Sequence, residues 1–365
     1  VQFLGAKLAK MSEPYLLVYL PMASCDALGR INGAQYQSGI AQFYEESKDP
    51  TKIITKNCNI GGSVEIDLAI GDTFYETCDS GQLRNRLLGD FQGPQQAFVL
   101  VTPRSSQVTT YITAEEARVV YGCGAKGQVA PYLDDSFVFS YSNAVGVRYG
   151  AQLIVGKAIN LTLFFDNGSS SAHTHLGDED EANAVISSTS PDSTIGFISA
   201  EVYDQHRDQL KSLAFRGKGQ SLAFLPDSDS NSRDKRNVRD GHYTVQAPMH
   251  MWAALNADGT VKRPQARKLI DWMQGNDVSP EDRLPFDIND VYAQAGVVPK
   301  CAMKVARSLD GGPFLPYVSE KPPCGCYFES QATGKVVPAG CVQCTDNSGC
   351  NQGQVCSHGF CEPAW

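Results

Sequence analysis

Short apolar runs alternate with amphipathic stretches over the first 300 residues of the chain. PYLLVYLP (14–21) predicts a strand, and a mixed segment from Asp26 to about Glu46 reads as helical. EIDLAIGD (65–72) alternates with the period of two expected of a half-buried strand, and QAFVLVTP (96–103) is an apolar run ended by proline, a buried strand. TAEEARVVYG (113–122) opens with Thr113 and Glu116 at capping-box spacing and predicts a short helix. SFVFS (136–140), STIGFIS (193–199), QLKSLAF (209–215) and YTVQAPMHMWAAL (243–255) read as strands. Helices are expected from Gly146 to Ala158, over EDEANAVISS, and over RPQARKLIDWMQG (263–275). Strands alternating with helices predict α/β layers with largely parallel sheets.

From about residue 300 the periodicity fades and cysteine takes over. Eight of the twelve cysteines (Cys301, Cys324, Cys326, Cys341, Cys344, Cys350, Cys356, Cys361) lie here, and four (Cys25, Cys58, Cys78, Cys123) lie in the first third. An even count, crowded among Gly, Pro, Asn and Asp, reads as a disulfide framework made in an oxidising compartment. The other reading is a reduced zinc module, with His358 as a further ligand. A segment this small builds no core unaided, so it leans on disulfides and on the main body. Cys58 with Cys78, and Cys25 with Cys123, are the expected early pairs.

A chain of 365 residues with 42% hydrophobic content buries a large core and is long enough for two domains. A net charge of −9 argues against nucleic acid, and there is no polybasic stretch for anionic lipid. No apolar run approaches the ~20 residues of a membrane span. The chain starts at Val1 with no apolar leader, as expected of an exported protein whose signal peptide is gone, placed in the periplasm, at the cell surface or outside the cell.

Catalytic signatures are missing: no G-x-S-x-G elbow, P-loop, dinucleotide fingerprint or H-E-x-x-H occurs, so neither enzyme activity nor a cofactor is expected. HTHLGDED puts His173 and His175 on one strand face, where they could hold a divalent ion. Its acids suit equally well the N-terminus of the next helix, the reading preferred here. LPDSDSNSRDKRNVRDGHY (225–243) nearly balances acids with bases and reads as a surface loop or short helix of weak ion pairs. FVFSYSNAVGVRYGAQL (137–153) reads as a strand breaking into a helix N-terminus, a geometry suited to an anion, yet Val145-Gly146-Val147 carries no hydroxyl.

DLAIGDTFYETC (67–78), FQGPQQAFVLVTPRSSQ (91–107), STIGFISAEVYDQHRDQLKSLAFRGKGQS (193–221), the 225–252 stretch around DKRNVRDGHY, VVPKCAMKVARS (297–308) and CGCYFE (324–329) together resemble the periplasmic phosphate-binding proteins of ABC importers. The resemblance is greatest to a cysteine-rich, secreted branch of that family from Gram-negative bacteria. It implies a two-lobed type II periplasmic-binding fold with a disulfide-rich C-terminal tail. Lobe 1 would span 1–100 and 240–300, lobe 2 101–239, and the cysteine-rich segment 301–365.

In that family hydroxyls, helix N-termini, an arginine and an acidic acceptor close on phosphate. Carried onto this chain, the first turn falls on Met22-Ala23-Ser24, the acceptor on Asp72 after Gly71, and the arginine on Tyr141, with Arg148 one turn into the following helix. The resemblance thus implies a cleft lined by Ser24, Asp72, Thr73, Tyr141, Ser142 and Asn143. Several donors are missing from it, each worth about 1.5–3 kcal/mol at a charged acceptor. Tight phosphate capture is therefore not expected. The function expected is binding of a small molecule or anion. The alternative is a surface or extracellular assembly subunit, with VQFLGAKLAK and the tail as contacts to neighbouring copies or a surface partner.

Overall fold

The computed structural model describes residues 1–33, 36–48, 53–78, 87–107, 110–141, 150–162, 164–165, 174–175 and 177–364, of which 36–38, 63 and 174–175 are described by backbone alone. One strand, Leu88–Pro103, runs through both halves of the molecule. Its first part pairs antiparallel with Gln246–Ala254, from Leu88↔Ala254 to Ala97↔Gln246. Its second part pairs with Gly196–Ser199 (Phe98↔Ser199) and with Leu210–Ser212 (Val101↔Ser212). Ala69–Gly71 adds to the far side of Gln246–Ala254 through Ile70↔Met251.

All neighbours in this five-stranded sheet are antiparallel, which corrects the expectation of largely parallel sheets. Apolar periodicity reports a strand but not its direction. The chain leaves one half along Leu88–Pro103 and returns along Gln246–Ala254, so the two must oppose each other. Among the described residues, parallel ladders are confined to Tyr111–Thr113 with Ala214–Arg216 and Ser140–Tyr141 with Thr174–His175.

Two large apolar cores flank the shared strand. One gathers Phe98, Leu100, Val120, Tyr121, Ile154, Val185, Phe197 and Phe215. The other gathers Leu4, Leu8, Met251, Leu269, Ile270 and Tyr292. A smaller cluster of Leu28, Ile31, Tyr75 and Trp252 adjoins the second. Thr113 caps helix Ala114–Cys123 in the reciprocal box that its spacing predicts, and Pro264–Gln274 is the amphipathic helix expected.

The region before residue 66 departs from its sequence reading. Residues 14–21 form no ladder and pair with a strand only through the Tyr19↔Gln42 bridge. The helical segment expected from Asp26 to Glu46 is a helix only over Ser24–Asn32; Tyr36–Glu46 is instead a strand paired with Ile53–Glu65 in a two-stranded ribbon. IAQFYEE (40–46) has β-formers at strand spacing, and its partner strand lies beyond the window in which a helix was read.

Cysteine pairing also differs. Cys25 bonds to Cys78, while Cys58 and Cys123 are free thiols, so neither expected early pair forms. Cys25 lies in the first turn of Ser24–Asn32 and Cys78 ends Tyr75–Cys78, two helices packed on the same half with the Cα atoms 5.1 Å apart. Cys123 stands exposed at the end of its helix, and Cys58 sits on the ribbon. No disulfide among the described residues ties the two cores together. The tail carries four disulfides: Cys301–Cys324, Cys326–Cys341, Cys344–Cys356 and Cys350–Cys361. The sulfurs of Cys344, Cys350 and Cys356 lie close together, but all three are in disulfides, which displaces the zinc reading.

The tail docks on the body by more than its disulfides. Phe328 of helix Gly325–Ala332 enters the first core, Arg239 donates to Glu329 at 3.0 Å, and the Tyr327 hydroxyl donates to Asp290 at 2.6 Å. Among the described residues no helix is long and apolar enough to cross a membrane.

Candidate functional site

Where the two halves meet, a cavity of about 530 Å³ opens. Helix Ser24–Asn32 presents its N-terminus on one side, and helices Asp178–Ile186 and Ala200–Gln205 present theirs on the other, with N-caps Ala23, Gly177 and Ser199 all in the lining. Converging helix N-termini favour negative charge. Here the chain supplies that charge itself. Asp72 follows strand Ala69–Gly71, Asp178 opens its helix, Glu201 lies in the first turn of its own, and all three line the cavity.

The approach of the halves depends on two glycines. A Cβ on Gly71 would fall 2.8 Å from the Ser24 Cβ and 2.8 Å from the Trp252 ring. A Cβ on Gly150, where helix Gly150–Ile159 begins, would fall 2.7 Å from the Ser24 hydroxyl and 2.9 Å from an Asp72 carboxylate oxygen. Any side chain there would hold the helix away from Ser24 and Asp72.

Of the residues the sequence reading assigned to the cleft, Ser24, Asp72 and Tyr141 do line one cavity. The Asp72 N–H donates to the Ser24 hydroxyl at 3.4 Å. Thr73 does not join them: it is fully buried, and its hydroxyl lies 3.3 Å from the Cys78 sulfur. Thr73 lies in the bend that joins strand Ala69–Gly71 to helix Tyr75–Cys78, beyond the strand's end. Ser142 and Asn143, Val145-Gly146-Val147, Arg148 and His173 lie outside the described residues, as does the His175 side chain. The acids of HTHLGDED do occupy a first helical turn, and Glu179 pairs with His206 at 2.9 Å.

The sequence reading missed Asp178, Glu201, Gln96, Tyr19 and Tyr44 as cavity residues. Only the tertiary fold brings them together, because carboxylates in the first turn of a helix are ordinary in any protein. Among the described residues no lysine, arginine or histidine side chain lines the cavity. The carboxyls resist ionisation chiefly because they are desolvated, although the Val1 amino group pulls on Asp72 and Glu201. Burial raises the pKa of Asp72 to about 6, against a lowering pull from His250 and with help from Asp310 and Glu201. Burial likewise raises Asp178 to about 7; its bonds to Ser199 pull down, and Glu201 and Asp72 push up. Glu201 is raised by burial and by Glu179 and Asp204. The Tyr19 phenol is pushed up to about 12 by burial and by Asp72 and Glu201.

Behind the cavity wall His250 is fully buried and its Nδ1 bonds to Asp90 at 2.8 Å. Beside it, Asp310 accepts from the Phe74 N–H at 2.8 Å and from the Thr77 hydroxyl at 2.7 Å. The loop read as surface ion pairs is instead a buried network. Lys235, 0% exposed, donates to Asp204 at 2.8 Å and Asp227 at 3.1 Å, and Arg207 bonds to the same two carboxylates at 2.6 and 2.5 Å.

No protein-family model matches the chain, and no curated protein is similar to it in sequence. Among solved structures it is similar to a possible phosphate-binding protein from Planctomyces limnophilus DSM 3776, at 12% identity and a TM-score of 0.40, over 64% of this chain and 76% of that one. It is similar also to an ABC-type phosphate transport receptor from Vibrio cholerae, at 14% identity and a TM-score of 0.41, over 64% and 79%. A Bordetella ferric binding protein aligns at 11% identity and a TM-score of 0.30, over 82% and 74%. At these TM-scores the likenesses carry no argument about function, which rests on the chain's own cleft.

Proposed function

We propose that this is an exported, non-enzymatic solute-binding protein whose ligand enters the cleft between two lobes, and that the cleft does not capture phosphate tightly. The lobes are assigned to 1–100 with 240–300 and to 101–239, with 301–365 as a stapling tail; the two cores on either side of the shared strand support that division. Five disulfides support export to an oxidising compartment.

The observation that carries the reading is the lining: Asp72, Asp178 and Glu201 share one cavity with no described basic side chain. A carboxylate and a phosphate charge about 4 Å apart repel by about 4 kcal/mol at the effective dielectric of a protein surface, roughly a thousandfold in affinity. Helix N-termini that would attract an anion already face the chain's own acids.

A second reading, an assembly subunit, draws on the ribbon. Among the described residues Ile53–Glu65 is paired on one side only, and Ile40, Ile54 and Val64 are exposed, so this edge offers itself to another strand. Native mass spectrometry of protein purified from its source separates the two. A monomer carrying a small-molecule adduct is the expected result. A phosphate adduct would overturn the exclusion of phosphate, and an empty protein in ordered multiples would favour the subunit.

A further inference from the structure

We infer that the cleft is built for a small organic cation, a ligand that carries an ammonium group. The inference rests on the cleft's being a ligand site and goes beyond it by naming the ligand class. Three independent features of the lining point the same way. First, the ionisable side chains of the described lining are all acceptors when charged: Asp72 comes from one half, Asp178 and Glu201 from the other, so a cation between them would touch both. Second, Gln96 is 6% exposed and lines the cavity, its amide nitrogen donating to the Ala97 carbonyl at 3.3 Å. Its amide oxygen adds a further acceptor to the lining. Third, Tyr19, Tyr44, Phe98 and Tyr141 line the same cavity, and aromatic faces attract ammonium groups.

The groups facing these carboxyls are consistent with a charge deficit. Asp72 faces His250, Asp310 and Glu201; Asp178 faces Ser199, Glu201 and Asp72; Glu201 faces Glu179 and Asp204. Around Asp72 two acids, Asp310 and Glu201, meet two bases, His250 and the Val1 amino group, while around Asp178 and Glu201 acids predominate. The amino group of Val1, also in the lining, draws the pKa values of Asp72 and Glu201 down, the same attraction a ligand ammonium would exert. No trio of these oxygens meets the spacing of a metal cluster, for among the described residues only the sulfurs of Cys344, Cys350 and Cys356 do. A molecule with an extended body therefore fits the lining better than a bare ion does.

Titration calorimetry with spermidine, arginine and choline, and in parallel with sodium phosphate and inositol, tests the inference on the full chain. At pH 8 at least one of the three cations should bind with a Kd below about 100 µM. Its affinity should fall about tenfold or more at pH 5, where the carboxyls take up protons. Glu201→Gln and Asp178→Asn should each weaken it about tenfold, while Glu13→Gln, at an exposed position outside the cavity, should not. Circular dichroism of each variant keeps a loss of binding distinct from a loss of fold. Binding of inositol or phosphate but of no cation would overturn the inference and leave the receptor reading standing. Binding of none of the five would overturn the inference alone, since a native-state adduct judges the receptor reading separately. Cation binding indifferent to pH and to both cleft variants would place it elsewhere on the surface and overturn the inference as well.

Discussion

Two groups of acids in this molecule, one buried and one half-buried around a cavity, meet opposite surroundings. In the loop after Leu225, Asp204 and Asp227 meet Arg207 and Lys235, two acids against two bases, with every contact between 2.5 and 3.1 Å. Burial alone would lower the Lys235 pKa, yet Asp204 and Asp227 raise it, so the lysine stays charged. In the cleft, Asp72, Asp178 and Glu201 meet no described basic side chain in the lining, and their pKa values rise. Charges that the chain neutralises for itself fix a loop in place. Acids around an open cavity, with no described basic side chain beside them, are on the reading proposed above left for a ligand.

The largest effect that could break this comparison is at the paired site. Lys235→Met leaves Asp204 and Asp227 with Arg207 alone, and breaking a buried pair from one side costs about 3–5 kcal/mol. Urea denaturation should show a loss of that size; a loss under 1 kcal/mol would mean that the network is no more than a surface feature. A smaller effect, of opposite sign, is expected in the cleft. A carboxyl whose pKa is raised on folding stabilises the protein fully below its unfolded value of 3.8, and that contribution is lost as pH rises through about 6 for Asp72 and about 7 for Asp178. Asp178→Asn removes one such group, so it should stabilise the protein at pH 8 by on the order of 2 kcal/mol and change little at pH 4. Denaturation at the two pH values checks this, and destabilisation at pH 8 would show that the ionised form is already well solvated.

The same contrast explains how much the sequence disclosed. Strands at 96–103 and 196–199 and helices at 114–123 and 264–274 follow from apolar periodicity and from the Thr113 capping box, all local signals. Strand direction and the Tyr36–Glu46 ribbon depend on partners far along the chain, which periodicity does not encode. The cysteines show the same limit: their number and clustering announced disulfides, but Cys25 meets Cys78 only because two helices pack together. In the cleft, Ser24, Asp72 and Tyr141 came from a family resemblance, whereas Asp178 and Glu201 look in sequence like any acid in a first helical turn. Lys235 looked like one base among many until the fold buried it.

The most direct test of the central claim, that the cleft acids meet no basic side chain in the described lining, is a carbon-13 NMR titration of the aspartate and glutamate carboxyls. Asp72→Asn and Asp178→Asn variants would assign the signals. The account predicts midpoints of about 6 for Asp72 and about 7 for Asp178 in the ligand-free protein. Midpoints near 3.8 for both would mean that water or a basic group already neutralises them, and would contradict the account.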